Sequence, residues 1–257
     1  MGTGKAIRRT ALITNGLGYA GLPAVHALLG AGFKVLVQEH RADDPSAWST
    51  LLNEHPEVVK ITESNPPALI EAAWEVTGRV DAIVSNDHFP APQMPAVSVS
   101  LGFFRDTIEA LVVEPFSLIQ SAAPRLRKQG GGNVIFITSC RTRAPIGGAT
   151  VADAARAAAN AMVRSVALEF AAEGIAINAI APNFLYSEAY YPRSIFVEHA
   201  RGREYIAQQV PAQRMGRPQE IGEVISFLAT TNAKFLTGAI IDFAGGWPAT
   251  PPRPMAV

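Results

Sequence analysis

Short apolar runs alternate with stretches of helical spacing along most of the chain. ALIT (11–14), KVLVQE (34–39), DAIVSND (81–87), NVIFITS (133–139), IAINAIAP (175–182) and GAIIDFAGG (238–246) each read as a strand. Helices are expected between them. One covers 23–32 and stops at Gly32, and another covers 66–78, opening on proline and closing on Gly78. A third spans about 101–129, with Pro115 and Pro124 as kink points. An alanine-rich helix at 151–174 and one at 218–230 complete the set. The strands are apolar on both faces, which is the pattern of a parallel sheet covered by helices on each side. The fold class is therefore α/β, a doubly wound parallel sheet. It is expected to be a single domain over 1–257, with a proline-rich tail at 247–257 running extended. In such sheets ligands sit beyond the carboxyl ends of the strands.

Composition narrows the class. The 257 residues are 48% hydrophobic and 17% charged, with 22 basic and 22 acidic side chains. Disordered chains carry less apolar and more charged sequence, and nucleic-acid binders show a basic surplus. Neither nucleic acid nor a membrane is an expected partner, because no run of 18 apolar residues occurs. The basic start MGTGKAIRRT leads into an apolar stretch broken by Asn15, Gly16 and Gly18, a poor secretory leader. The single Cys140 cannot form an internal disulfide, so a reducing, cytoplasmic location is expected.

The first strand runs into TNGLGYAG, residues 14–21, before the first helix. Gly16, Gly18 and Gly21 in this context admit two readings. They could let a dinucleotide pyrophosphate approach a helix N-terminus, or they could serve the packing of the turn alone. Glu39, at the end of the second strand, is placed where an acidic residue could hold an adenosine ribose.

The chain resembles the short-chain dehydrogenase/reductase superfamily over nearly all its length, which implies a Rossmann-like fold. That family opens with T-G-x-x-x-G-x-G. Thr14 and Gly21 match, whereas Asn15 and Tyr19 replace two glycines. Thr14, Tyr19 and Gly21 are instead similar to the halohydrin dehalogenases, cofactor-free relatives with T-x-x-x-x-(F/Y)-x-G. In these the aromatic residue occupies the vacated nicotinamide space. Ser85-Asn86-Asp87 stands where dehydrogenases have N-N-A-G, and Leu111 where they have a proton-relay Asn. The resemblance thus implies no cofactor.

The superfamily's catalytic set is Ser, then Tyr thirteen residues on, then Lys four beyond it. Ser139 follows the apolar strand, and Arg156, seventeen residues later, matches the dehalogenase Arg. A permanently charged guanidinium can hold a neighbouring phenol toward phenolate without a cofactor. In the family the Ser binds the substrate oxygen, the Tyr removes its proton, and the alkoxide displaces halide to close an epoxide. Here the Tyr position is Ala152, and no Tyr occurs between Tyr19 and Tyr186. Three accounts stay open: a variant with its base removed, a natural member using another group or a water held by Ser139 and Arg156, and a non-catalytic relative. Asp153 is expected to point away from Ser139, since helix neighbours diverge by about 100°. His40 and His88 are other candidate bases, with His88 better placed after a strand end.

PNFLYSEAYY, 182–191, resembles the dehalogenase loop that makes the halide pocket. That implies a pocket of Tyr19, Pro182, Asn183, Phe184 and Leu185; an ordinary aromatic lid over another substrate is the competing reading. Asn86, His88, Tyr186 and Trp247 are assigned to the substrate side. Tyr190 and Tyr191 could join them or pack on another subunit. In some relatives a tail aromatic reaches a neighbour's site; here Trp247 and Arg253 are the nearest candidates. The helices at 101–129 and 151–174 resemble those of the family's dimer bundle, implying a homotetramer. The leading function is a halohydrin dehalogenase-like lyase acting on vicinal haloalcohols, or on epoxides with halide and other small anions. An NAD(P)-dependent oxidoreductase, on Gly16 and Glu39, and a binding protein with a relict pocket, on Ala152, are the competitors.

Overall fold

The computed structural model describes residues 8–39 and 45–250. His40, Arg253 and the end of the tail expected over 247–257 lie outside them; residues 247–250 run as irregular chain. In chain order the elements are β1 (Thr10–Ile13), α1 (Gly21–Gly30), β2 (Lys34–Gln38), α2 (Pro45–Glu54), β3 (Val59–Ile61), α3 (Pro66–Thr77), β4 (Ala82–Ser85) and α4 (Leu101–Ile108). After them come α5 (Glu114–Lys128), β5 (Gly132–Ile137), α6 (Thr150–Phe170), β6 (Ile175–Pro182), α7 (Arg193–Phe196), α8 (Ala200–Gln209), α9 (Pro218–Thr230) and β7 (Ile240–Phe243).

The strands form one seven-stranded sheet in the order β3-β2-β1-β4-β5-β6-β7, and every pair is parallel. Alternate side chains of each strand feed two cores. Ile13, Val37, Val84 and Ile135 pack with Leu28 of α1 and Ile225 of α9. Leu12, Leu36, Ile83 and Phe136 pack on the other face with Ile70 of α3, Ile119 of α5 and Val163 of α6. Burial on both sides is why the strands read as continuous apolar runs. No helix among the described residues is long and apolar enough to cross a membrane.

Element boundaries depart from the sequence expectation where side-chain chemistry is quiet. α1 begins at Gly21, two residues before Pro23, because the Gly21 N–H already donates to the Gly18 carbonyl. The region expected as one helix at 101–129 is α4 and α5 joined by a wider π turn at Glu109–Val113. Pro115 sits in the first turn of α5, where a missing N–H is tolerated, and only Pro124 is internal. α2, β3 and α8 were not legible: β3 has three residues, and α8 buries only Gly202 and Ile206.

Phe136 on β5 is fully buried, and Phe136→Ala should cost about 3–5 kcal/mol in urea unfolding. A loss under about 1 kcal/mol would contradict the packing described here.

Candidate active site

The carboxyl ends of β4, β5 and β6 converge on Arg156 of α6. This guanidinium is buried. Its Nη1 donates to the Ile137 carbonyl at 3.2 Å and its Nη2 to the Asp87 carbonyl at 3.0 Å. Both acceptors lie at strand ends, so a permanent cation is fixed where the parallel sheet opens. Such charge-assisted bonds contribute about 1.5–3 kcal/mol each. One turn further along α6, Asn160 donates from Nδ2 to the Ser139 carbonyl at 2.9 Å. Asn160 was not singled out from the sequence, although its i+4 spacing from Arg156 places it on the same helix face.

Ser139 lies just beyond β5. Its Oγ donates to the Pro182 carbonyl at 3.0 Å and accepts from the Arg141 N–H at 3.2 Å. Arg141 in turn pairs through Nε with Asp153 at 2.9 Å. Asp153 therefore does not reach the Ser139 hydroxyl but neutralises a second guanidinium beside it. Ser139, Arg156 and Ala152 all line one cavity of about 470 Å³. Leu111, delivered by the π turn, and Thr107 of α4 form part of the same wall. Ala152 presents only a methyl group there.

The glycine turn has its own packing logic. Gly16, Gly18 and Gly21 do keep the spacing G-x-G-x-x-G. A Cβ on Gly16 would meet Val37 at 2.4 Å, one on Gly21 the Gly16 carbonyl at 2.5 Å, and one on Gly18 the His88 ring at 2.7 Å. Asn86 is fully buried and ties the turn shut, its Nδ2 donating to the Asn15 carbonyl at 2.8 Å and the Gly18 carbonyl at 2.9 Å. Tyr19 adopts φ 46°, a left-handed conformation uncommon for an aromatic residue. Its ring packs edge-on against Tyr190 at 5.1 Å and lies 6.3 Å from His88.

These residues do not fit a nicotinamide dinucleotide. The His88 ring lies on the glycine that a pyrophosphate would need to approach, and Tyr19 fills the cleft above it. Glu39 accepts the Leu17 N–H at 3.1 Å and lines the wall of a larger cavity along α1, on the far side of Tyr19 from Ser139. Tyr19 and His88 separate the 470 Å³ cavity from a second one of about 950 Å³ along α1; Tyr19 lines both, and His88 and Tyr186 line only the larger.

The loop after β6 contributes unequally. Pro182 and Asn183 line the Ser139 cavity, together with Tyr190 and Tyr191. Phe184, at φ 55°, turns instead into a separate cluster with Ile206, Val210 and Trp247, and Leu185 is buried in the main core. Trp247 packs edge-on against Phe184 at 5.8 Å and does not line the Ser139 cavity. Asn86 likewise stays behind the turn. Tyr190 latches the loop to the chain after β4, its hydroxyl donating to the Phe89 carbonyl at 2.9 Å and accepting the Phe89 N–H at 3.1 Å. Tyr191 donates to Asn183 Oδ1 at 2.7 Å.

Two phenols near Ser139, those of Tyr19 and Tyr191, are held neutral. Burial, reinforced by Tyr190, raises the Tyr19 hydroxyl far above its ordinary value, although Arg156 pulls it down. Burial likewise pushes Tyr191 up to about 12. Neither can serve as a resting phenolate, and Tyr191 acts as a donor to Asn183. The site therefore combines a fixed cation, a hydroxyl and neutral phenols, a set suited to stabilising an oxyanion.

A family model described as enoyl-(acyl carrier protein) reductase matches residues 15–248. The chain belongs to the short-chain dehydrogenase/reductase superfamily. Among solved structures it is similar to a halohydrin dehalogenase bound to ethyl (2S)-oxiran-2-ylacetate. The identity is 30%, with a TM-score of 0.90, over 96% of this chain and 100% of that one. A structure described as a dehalogenation enzyme matches at 32% identity and a TM-score of 0.88, over 93% and 98% of the two chains. The 7alpha-hydroxysteroid dehydrogenase of Escherichia coli strain K12 is 29% identical over 72% of this chain and 70% of its own.

The raised phenols give a pH prediction. A folded-state tyrosine above its unfolded value of 10.0 adds stability at lower pH that is lost as pH climbs from there toward about 12 for Tyr191. Alkaline difference absorbance should show Tyr19 and Tyr191 ionising well above the ordinary phenol value, and Tyr191→Phe should flatten the stability loss between these values. All five tyrosines ionising together near pH 10 in the folded protein would contradict the assignment.

Proposed function

We propose that this chain is a halohydrin dehalogenase-like lyase that interconverts a vicinal haloalcohol with an epoxide and halide, and opens epoxides with small anions, without a nicotinamide cofactor. The observation that carries this reading is the buried Arg156 beside Ser139, with Tyr19 filling the space a nicotinamide would need. The 30% and 32% identical dehalogenase structures support it. Oxidoreductases such as the steroid dehydrogenase share the fold, but a hydride-transfer reading must accommodate Tyr19, Arg156 and Ala152.

In the ring-closing direction the substrate hydroxyl takes over the Ser139 hydrogen bond now given to Pro182. Its proton passes to a water in the space beside Ala152, a polar pocket wide enough for one. The alkoxide oxygen, stabilised by Ser139 and Arg156, forms a bond to the neighbouring carbon, and the carbon–halogen bond breaks with its electron pair leaving on halide. Tyr19, Pro182 and Asn183 are the proposed halide contacts, through the Tyr19 ring edge and the Asn183 side-chain amide, because the Asn183 backbone N–H already donates to the Phe243 carbonyl at 3.1 Å. Epoxide opening is the reverse, with a small anion attacking carbon and the proton returning to oxygen. Because water replaces a positioned phenolate, the rate is low in both directions.

Halide release from a short bromoalcohol tests this. Ala152→Tyr should raise kcat/KM by about 10²–10⁴, the usual contribution of a positioned general base, and Ser139→Ala should abolish the release. No halide from either the unchanged chain or the Ala152→Tyr variant would refute the proposal.

The assembly is proposed to be a homotetramer through α4, α5 and α6, which leave Leu101, Phe116 and Leu168 exposed. Light scattering should give about four times 27.3 kDa; a monomer mass would contradict it.

A further inference from the structure

We propose that His26, Glu54 and His55 form a site for one divalent transition-metal ion of the zinc type, on the opposite side of Tyr19 from the Ser139 cavity. His26 stands on the outer face of α1; Glu54 and His55 close α2. One ligand atom from each lies within 4.8 Å of the other two. The two imidazoles are 5.1 Å apart, inclined at 50°. Neither ring makes a hydrogen bond among the described residues; the nearest carboxylate to His55 outside the cluster, on Glu57, is 3.9 Å away.

Two imidazoles side by side without a hydrogen-bonding counter-ion are unfavourable when both are protonated. Two nitrogens and one carboxylate select zinc, cobalt, nickel or copper over magnesium and calcium, which require mainly oxygen donors. In a tetrahedral set with bonds of about 2.1 Å, ligand atoms stand about 3.4 Å apart. The remaining approach is within reach of side chains at the surface. Three protein ligands leave a fourth position for water. His26 also walls the 950 Å³ cavity beside Leu22, Pro23 and Ala27, so a bound ion would tie α2 to α1 at that cavity's rim.

The test uses untagged, metal-free protein, titrated calorimetrically with zinc chloride and separately with magnesium chloride, with thermal melts alongside. The expected result is one equivalent of zinc at micromolar Kd, a raised Tm, and no response to magnesium. Changing a group that merely orients a ligand costs about 10–100-fold in affinity, so His26→Ala and His55→Ala should each lose at least that. Their metal-free Tm should match the parent, since both rings are at the surface. His199→Ala, at a distant exposed site, should bind zinc as the parent does. Binding weaker than millimolar, or equal zinc binding by the His26→Ala, His55→Ala double variant, would overturn the proposal.

Discussion

The geometry of the site depends on one buried cation. Arg156 reaches from α6 to the carbonyls of Ile137 and Asp87. It therefore couples the longest helix to the carboxyl ends of two central strands. A lysine at this position would present a single point charge that cannot span both acceptors in a fixed fork. Asn160 and Ser139 are positioned from the same helix face and strand end, so the hydroxyl and the cation form one rigid unit.

Around that unit, aromatic side chains divide the cleft at the carboxyl end of the sheet into two cavities. Tyr19, Tyr190 and His88 form the partition, and Asn86 holds the turn beneath it. The result is a small cavity with cation and hydroxyl on one side and a larger cavity along α1 on the other. The partition works because Tyr19 accepts a left-handed backbone and because Gly18 has no side chain to keep His88 away. Space, rather than charge, decides which ligands this cleft admits.

Much of this was legible in the residues. The expected strand at 175–182 and helix at 218–230 coincide with β6 and α9, because long apolar periodicity leaves little freedom. Ser139, Arg156, Tyr19, Pro182 and Asn183 do share a cavity. Phe184 and Leu185 do not line it, since a positive φ at Phe184 reverses the chain direction and turns the next residue into the core. Backbone reversals of that kind leave no signature in side-chain type when the residue is not glycine. The π turn that delivers Leu111 and the helix α8 were hidden for a related reason: neither carries a periodic apolar stripe, whereas α2 does, with Trp48, Leu51 and Leu52 against the main core, in a segment too polar overall to stand out. Tyr190 and Tyr191 were left between two roles, and only tertiary contacts with Phe89 and Asn183 distinguish them.

Tyr19 and His88 stand between the Ser139 cavity and the cavity along α1, and the proposed chemistry on Ser139, Arg156 and a water needs no nicotinamide beside it. Calorimetric titration of the protein with NADH and NADPH tests it most directly. The account predicts no saturable binding of either nucleotide up to millimolar concentration. Stoichiometric binding of either at micromolar Kd would contradict it.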